Sequence, residues 1–235
     1  MIELRKSSER GKTKIDWLES YHSFSFGEYY DPGNTHFGPL RVMNDDIIQP
    51  GAGFPTHPHR DMEIVTIVFE GAVAHKDSSG GNGIITVNEV QRMTAGSGIR
   101  HSEFNASDTE ILKLLQVWLI PVKQGLEPSY DQKKFSHQEK NNRLLKIVSG
   151  SEEEGTLFIN QDAEIYLSDL EKGKEIKHPL KKERGLYLHL VEGAISAGGK
   201  ILSPGDAVKI TDEESLNISA SEDSKLILFD LNMNF

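Results

Sequence analysis

The stretch that decides the fold reads Thr56-His57-Pro58-His59-Arg60-Asp61-Met62-Glu63. In an extended strand, side chains i and i+2 leave the backbone on the same face. His57 and His59 therefore aim two imidazoles in one direction. After 41 intervening residues, His101-Ser102-Glu103 repeats the arrangement with an imidazole and a carboxylate. Two such strands facing each other would assemble three imidazoles and one carboxylate into a mononuclear metal site. Strand parity leaves the choice of carboxylate open, because Glu63 falls in step with residues 57, 59 and 61. A single His-x-His is a weak signal. Two spaced pairs, each next to a glycine-rich bend (Gly51-Ala52-Gly53 and Gly96-Ser97-Gly98), are a much stronger one. Pro58 cannot donate to a ladder, so its strand is expected at an edge or sharply bent. His22, His36, His75, His137, His178 and His189 have no comparable spacing and are expected to be structural or exposed.

Around these pairs the chain reads as short β-strands. Glu63 to Phe69 is β-branched and stops at Glu70-Gly71; Ala72 to His75, Ile84 to Val87, Val90 to Met93 and Ile111 to Ile120 follow, separated by Gly, Asn, Asp and Pro. Such runs predict an all-β sandwich or barrel. The polar stretch 123–142 reads as a linker with a helical turn. Beyond it Ala163 to Leu167, Leu216 to Ala220 and Lys225 to Leu231 read as strands again. Phe69-Glu70-Gly71-Ala72-Val73 is echoed by Val191-Glu192-Gly193-Ala194-Ile195, which suggests two related β-domains in tandem. The expected division is a metal-binding domain over 1–122, the linker 123–142, and a metal-free domain over 143–235 with no His-x-His.

Bulk properties narrow the function classes. The chain of 235 residues has 37% hydrophobic and 26% charged residues and a net charge of −10, as suits a globular protein. An acidic chain is a poor match for a phosphate backbone or an anionic membrane. No cysteine is present, so disulfides and thiolate ligands are excluded. The charged start of the sequence and the absence of a long apolar run predict a cytoplasmic protein.

The spacing Gly51-x5-His57-x-His59-x3-Glu63 resembles the first motif of the cupin superfamily, and Gly98-x2-His101-x3-Asn105 resembles the second. The fuller strings, Thr56 to Glu63 and Ser97 to Glu103, resemble the pirin family of bicupins, especially its short bacterial members described as quercetin 2,3-dioxygenases. The likeness extends to Phe37-Gly38-Pro39-Leu40-Arg41-Val42 and the C-terminal repeat. The chain departs from the general cupin pattern in three places. Seven residues separate Glu63 from Gly71 instead of six, Gly96 stands where the second motif has proline, and Glu103 adds a carboxylate two residues after His101.

The resemblance implies a bicupin of two tandem jelly-roll barrels. It implies His57, His59, His101 and Glu103 as metal ligands, with Glu63 in a supporting role and Phe54 on the pocket wall. The implied metal is Fe(II), and the sulfur-free donor set also suits Mn, Ni, Co, Cu or Zn. The implied activity is a dioxygenase that opens the heterocyclic ring of a flavonol such as quercetin with O2 and releases CO, Glu103 accepting the hydroxyl proton. The alternative is a metal-binding regulatory protein that acts through protein contacts. The expected state is a monomer acting on a small aromatic substrate.

Overall fold

The computed structural model describes residues 1–235. It is built almost wholly from strands; the helical elements are a single turn at Ser7–Glu9 and a four-residue helix at His137–Lys140. No helix is long and apolar enough to cross a membrane.

Each half pairs a seven-stranded sheet with a four-stranded one. In the first half, the large sheet runs in the order Ser129–Lys134, Glu89–Thr94, Glu63–Glu70, Leu112–Leu119, Leu40–Ile48, Leu18–His22, Gly11–Lys14. The small sheet runs Gly53–His59, Ile99–Asn105, Ala72–Asp77, Asn82–Thr86. The second half repeats the plan. Its large sheet runs Ile2–Arg5, Ala207–Ile210, Arg184–Glu192, Ser224–Asn232, Ala163–Leu170, Leu145–Ser149, Leu157–Phe158, and its small sheet Glu175–Pro179, Ser215–Ala220, Ile195–Ala197, Lys200–Leu202. The molecule is thus a bicupin.

The central strands read as continuous apolar runs because both of their faces are covered. In Glu63–Glu70, Val65 and Ile67 point one way into a core that also contains Ile165, Tyr187, Ile227 and Phe229 of the second half. Ile64, Thr66 and Val68 alternate to the other face, where Ile64 and Val68 join smaller clusters within the first half. The two large sheets therefore share one core, and the two small sheets lie outside it. The strands carrying His57, His59, His101 and Glu103 belong to a small sheet, outside that shared core.

The repeat seen in the sequence is also a structural repeat. Gly71 (φ +75°) and Gly193 (φ +86°) each turn a long central strand into the next one. A side chain at either would also strike a carbonyl, Ile111 O at 2.5 Å or Asp223 O at 2.3 Å, so both positions require glycine.

Two segments depart from the division expected from sequence. Within the stretch read as a linker, Ser129–Lys134 is a strand paired with Glu89–Thr94, extending the first half's large sheet. Ile2–Arg5 pairs with Ala207–Ile210 and so belongs to the second half's sheet, although it lies at the start of the chain. Both are edge strands with a partner on one side only, which is why their hydrophobic pattern is weak.

Candidate metal centre

The two ligand pairs sit on adjacent antiparallel strands of the small sheet, where the sequence reading expected strands facing each other. His57 pairs directly with His101, and His59 with Ile99. Gly53–His59 is the edge strand, so Pro55 and Pro58 cost it no central ladder bond. The register shifts between His101 and Glu103, which pairs with Phe54. A bulge of this kind re-aims the side chains on either side of it.

The strands approach closely because Gly53 lies opposite Phe104. A Cβ at residue 53 would sit 2.3 Å from the Glu103 carbonyl oxygen and 2.4 Å from Phe104 Cα. Both obstacles are backbone, so relief requires the two ligand strands to separate. Gly53→Ala is expected to destabilise the protein by about 3 kcal/mol and to weaken metal binding with it, as urea denaturation and metal titration would show. An unchanged denaturation midpoint would contradict this close approach.

The three imidazoles converge. The rings of His57, His59 and His101 lie 4.5–4.8 Å apart between centroids, and one ligand atom from each falls within 4.8 Å of the others. His57 Nδ1 is 2.8 Å from the Pro55 carbonyl oxygen. That oxygen can only accept, so Nδ1 carries the proton and Nε2 keeps its lone pair. His101 Nε2 is buried with no hydrogen-bond partner, a position that is costly unless something coordinates it. Trp118 stands edge-on to His59 at 4.8 Å, and Phe54 packs between Trp17 and His57.

Burial and the neighbouring imidazoles disfavour the charged forms of His59 and His101. Burial, then the neighbouring His101 and His57, lower the His59 pKa to about 4. Burial, then His57 and His75, lower that of His101 to about 3. Neutral imidazole is the metal-binding form, so His59 and His101 are ready for a cation at neutral pH. The metal-free protein has a corresponding weakness. The unfolded chain takes up protons on these rings below about 6.5 and the folded one only near 4 and 3, so stability falls as pH drops through that window. The melting temperature of the metal-free protein is expected to decline between pH 6.5 and 4, and less so in a His59→Gln, His101→Gln double variant. Equal declines in the two proteins would count against neutral, crowded imidazoles.

Glu103 shares the pocket wall. It is buried, and its carboxylate accepts hydrogen bonds from Thr66 Oγ1 at 3.1 Å and Gln116 Nε2 at 2.6 Å. One of its oxygens lies within 4.8 Å of ligand nitrogens of His101 and His75, a second group that shares His101 with the first. The pocket enclosing these groups measures about 210 Å³ and is also lined by Phe54, His22, Asn44 and Trp118. The donor set fits a divalent transition metal: three converging imidazoles, a nearby carboxylate, no sulfur, and a buried orphan nitrogen.

Two expectations need correction. Glu63 does not share a strand face with His57 and His59. Asp61 takes a left-handed turn (φ +50°), and Glu63 begins a strand of the other sheet. It is fully buried there, accepting hydrogen bonds from Thr94 Oγ1 at 2.9 Å and Asn160 Nδ2 at 3.2 Å, and it does not line the pocket. It fastens the two halves together. His75 is no bystander: it is buried behind His101, its Nδ1 3.5 Å from His101 Nδ1. His75-Lys76-Asp77 has the same one-residue spacing as the ligand pairs, and that signal was available in the sequence.

Comparison with known proteins places this site in a recognised setting. A family model described as Pirin matches residues 3–119, and one described as Quercetinase C-terminal cupin domain matches residues 146–231. The chain is 44% identical over 231 residues to the quercetin 2,3-dioxygenase of Escherichia coli strain K12, covering 98% of this chain and 99% of that one. It superposes with a TM-score of 0.94 on the bacterial pirin YhhW of Escherichia coli, solved in complex with nickel(II), at 43% identity and 99% coverage of both chains. A quercetin 2,3-dioxygenase structure from Acinetobacter baumannii shares the fold at a TM-score of 0.78 and 22% identity, over 95% of this chain and 84% of that one.

Proposed function

The chain belongs to the pirin family, and from that premise we propose that it is a mononuclear metal-dependent dioxygenase acting on a flavonol such as quercetin. The observation that carries this reading is the convergence of three imidazoles, one with a buried unpartnered nitrogen, on a pocket with aromatic walls. His57, His59 and His101 hold the metal, with Glu103 as fourth ligand. A divalent metal bound there supplies Lewis acidity toward a substrate hydroxyl and, if redox-active, a route to O2; Fe(II) is the first candidate.

The protein's own residues do the rest. Phe54 and Trp118 offer apolar surface to the rings of the substrate and exclude water from its reacting edge. Glu103 accepts the proton of the flavonol 3-hydroxyl, which turns the ring system into an electron-rich anion able to react with O2. Thr66 and Gln116 keep the carboxylate in place as it does so. The overall change consumes one O2, breaks the two ring bonds to the carbon bearing that hydroxyl, and releases this carbon as CO. The second half carries no corresponding cluster; we propose that 143–235 serves as a metal-free cupin backing the first.

The decisive experiment loads the protein anaerobically with Fe(II), Mn(II), Ni(II), Co(II) or Cu(II), adds quercetin, and admits oxygen. Loss of flavonol absorbance with matching CO release supports the proposal. Stoichiometric metal without turnover under any of these metals would sink the flavonol reading and leave the metal site intact.

A further inference from the structure

Two candidate ligand groups share His101: one with His57 and His59, the other with His75 and Glu103. Hydrogen bonding decides between them. Asp77 Oδ1 is fully engaged, accepting from the Ser79 N–H at 2.8 Å, the Ser79 hydroxyl at 2.7 Å and the Gly81 N–H at 3.0 Å. Its other oxygen, Oδ2, lies 2.9 Å from His75 Nε2, and both side chains are wholly inaccessible to solvent. A carboxylate oxygen accepts, so Nε2 of His75 carries the proton and Nδ1 is left with a lone pair. That lone pair faces His101 Nδ1 at 3.5 Å. His101 must then be the donor from Nδ1, and its remaining lone pair is on Nε2, the buried atom with no partner. The ring of His75 cannot tip away to do anything else, since Tyr130 stacks on it at 4.9 Å with 28° between planes.

We propose that Asp77 and His75 are positioning residues, a carboxylate–imidazole pair that fixes the tautomer of His101 and directs its Nε2 into the three-imidazole site, so setting how tightly that site holds a metal. The proposal rests on the metal-site reading above. It assigns His75 outside the ligand set, because both of its ring nitrogens are already committed. It also gives the pair a second effect. A carboxylate acting through one imidazole on another makes the coordinating nitrogen a stronger electron donor, and a stronger donor favours the higher oxidation state of a bound iron.

The test titrates nickel(II) into the full chain and into Asp77→Asn, His75→Gln and His75→Ala, with circular dichroism to confirm that each is folded. The expected result is one nickel per wild-type chain, and affinity weakened about 10- to 100-fold by Asp77→Asn and by His75→Ala without loss of stoichiometry. His75→Gln is expected to recover part of the loss, since its amide oxygen can accept the His101 Nδ1 proton. With iron bound, Asp77→Asn is expected to raise the Fe(III)/Fe(II) potential. A metal ligand at residue 75 predicts otherwise: His75→Gln as damaging as His75→Ala, with the one-nickel stoichiometry lost in both. That pattern, or wild-type affinity in all three variants, overturns the proposal and leaves the metal site standing. A wild-type chain that takes up no metal removes the site itself and the pair's role with it.

Discussion

His101→Ala is expected to leave a folded protein that no longer retains metal. His101 is common to both candidate ligand groups, and its Nε2 is buried with no other partner. Removing a supporting group costs about 10- to 100-fold in metal affinity; removing this ring takes away a coordinating atom as well as the focus of the cluster, so the loss should exceed about 100-fold on the same scale. The fold should survive, because residue 101 lies on the small sheet, outside the core that the two large sheets share. The measurement is metal per chain after dialysis against a weak chelator, with the melting curve beside it. Retention of one metal per chain would mean that the three-imidazole cluster is not the binding site.

The second large effect concerns Glu103. Glu103→Gln preserves side-chain size and keeps an oxygen able to accept from Thr66 or Gln116, but it removes the capacity to take a proton. A positioned general base contributes about 10²- to 10⁴-fold, and kcat for flavonol consumption should fall by that order, while one metal per chain is retained at reduced affinity. KM should change far less than kcat, because apolar walls such as Phe54 and Trp118 are untouched. An unchanged kcat would remove Glu103 from the proton transfer. Glu63→Gln provides the contrast: it should weaken the bond to Asn160 and lower stability, yet leave metal content alone.

What could be seen in advance follows from periodicity. The convergence of His57, His59 and His101 was legible because a period of two survives in any extended strand, edge or centre, and because two pairs at that spacing reinforce each other. The central strands were legible too; Glu63–Glu70 and Leu112–Leu119 are apolar on both faces because a sheet covers each side. Glu63 was misplaced because parity counting assumes an unbroken strand, and the left-handed Asp61 breaks it between residues 59 and 63. His75 was passed over because its partner at the one-residue spacing is an aspartate and not a second imidazole. Ser129–Lys134 escaped because an edge strand of Asp, Gln and Lys carries the composition of a loop; its pairing with Glu89–Thr94 is fixed by the neighbour and not by its own pattern. Domain order along the chain suffers in the same way at Ile2–Arg5, whose four residues are too few to show a period.

That first strand has a consequence for how the protein is made. Its hydrogen-bonding partner, Ala207–Ile210, lies about 200 residues further along the chain. A ribosome adding roughly 5–20 residues per second needs about 10–40 s to produce it. Throughout that interval the first half can close its own two sheets and bring its three imidazoles together, while Ile2–Arg5 waits unpaired. Completion of the second sheet is then a late fastening step, in which Ile2–Arg5 finds its place only after Ala207–Ile210 has been made.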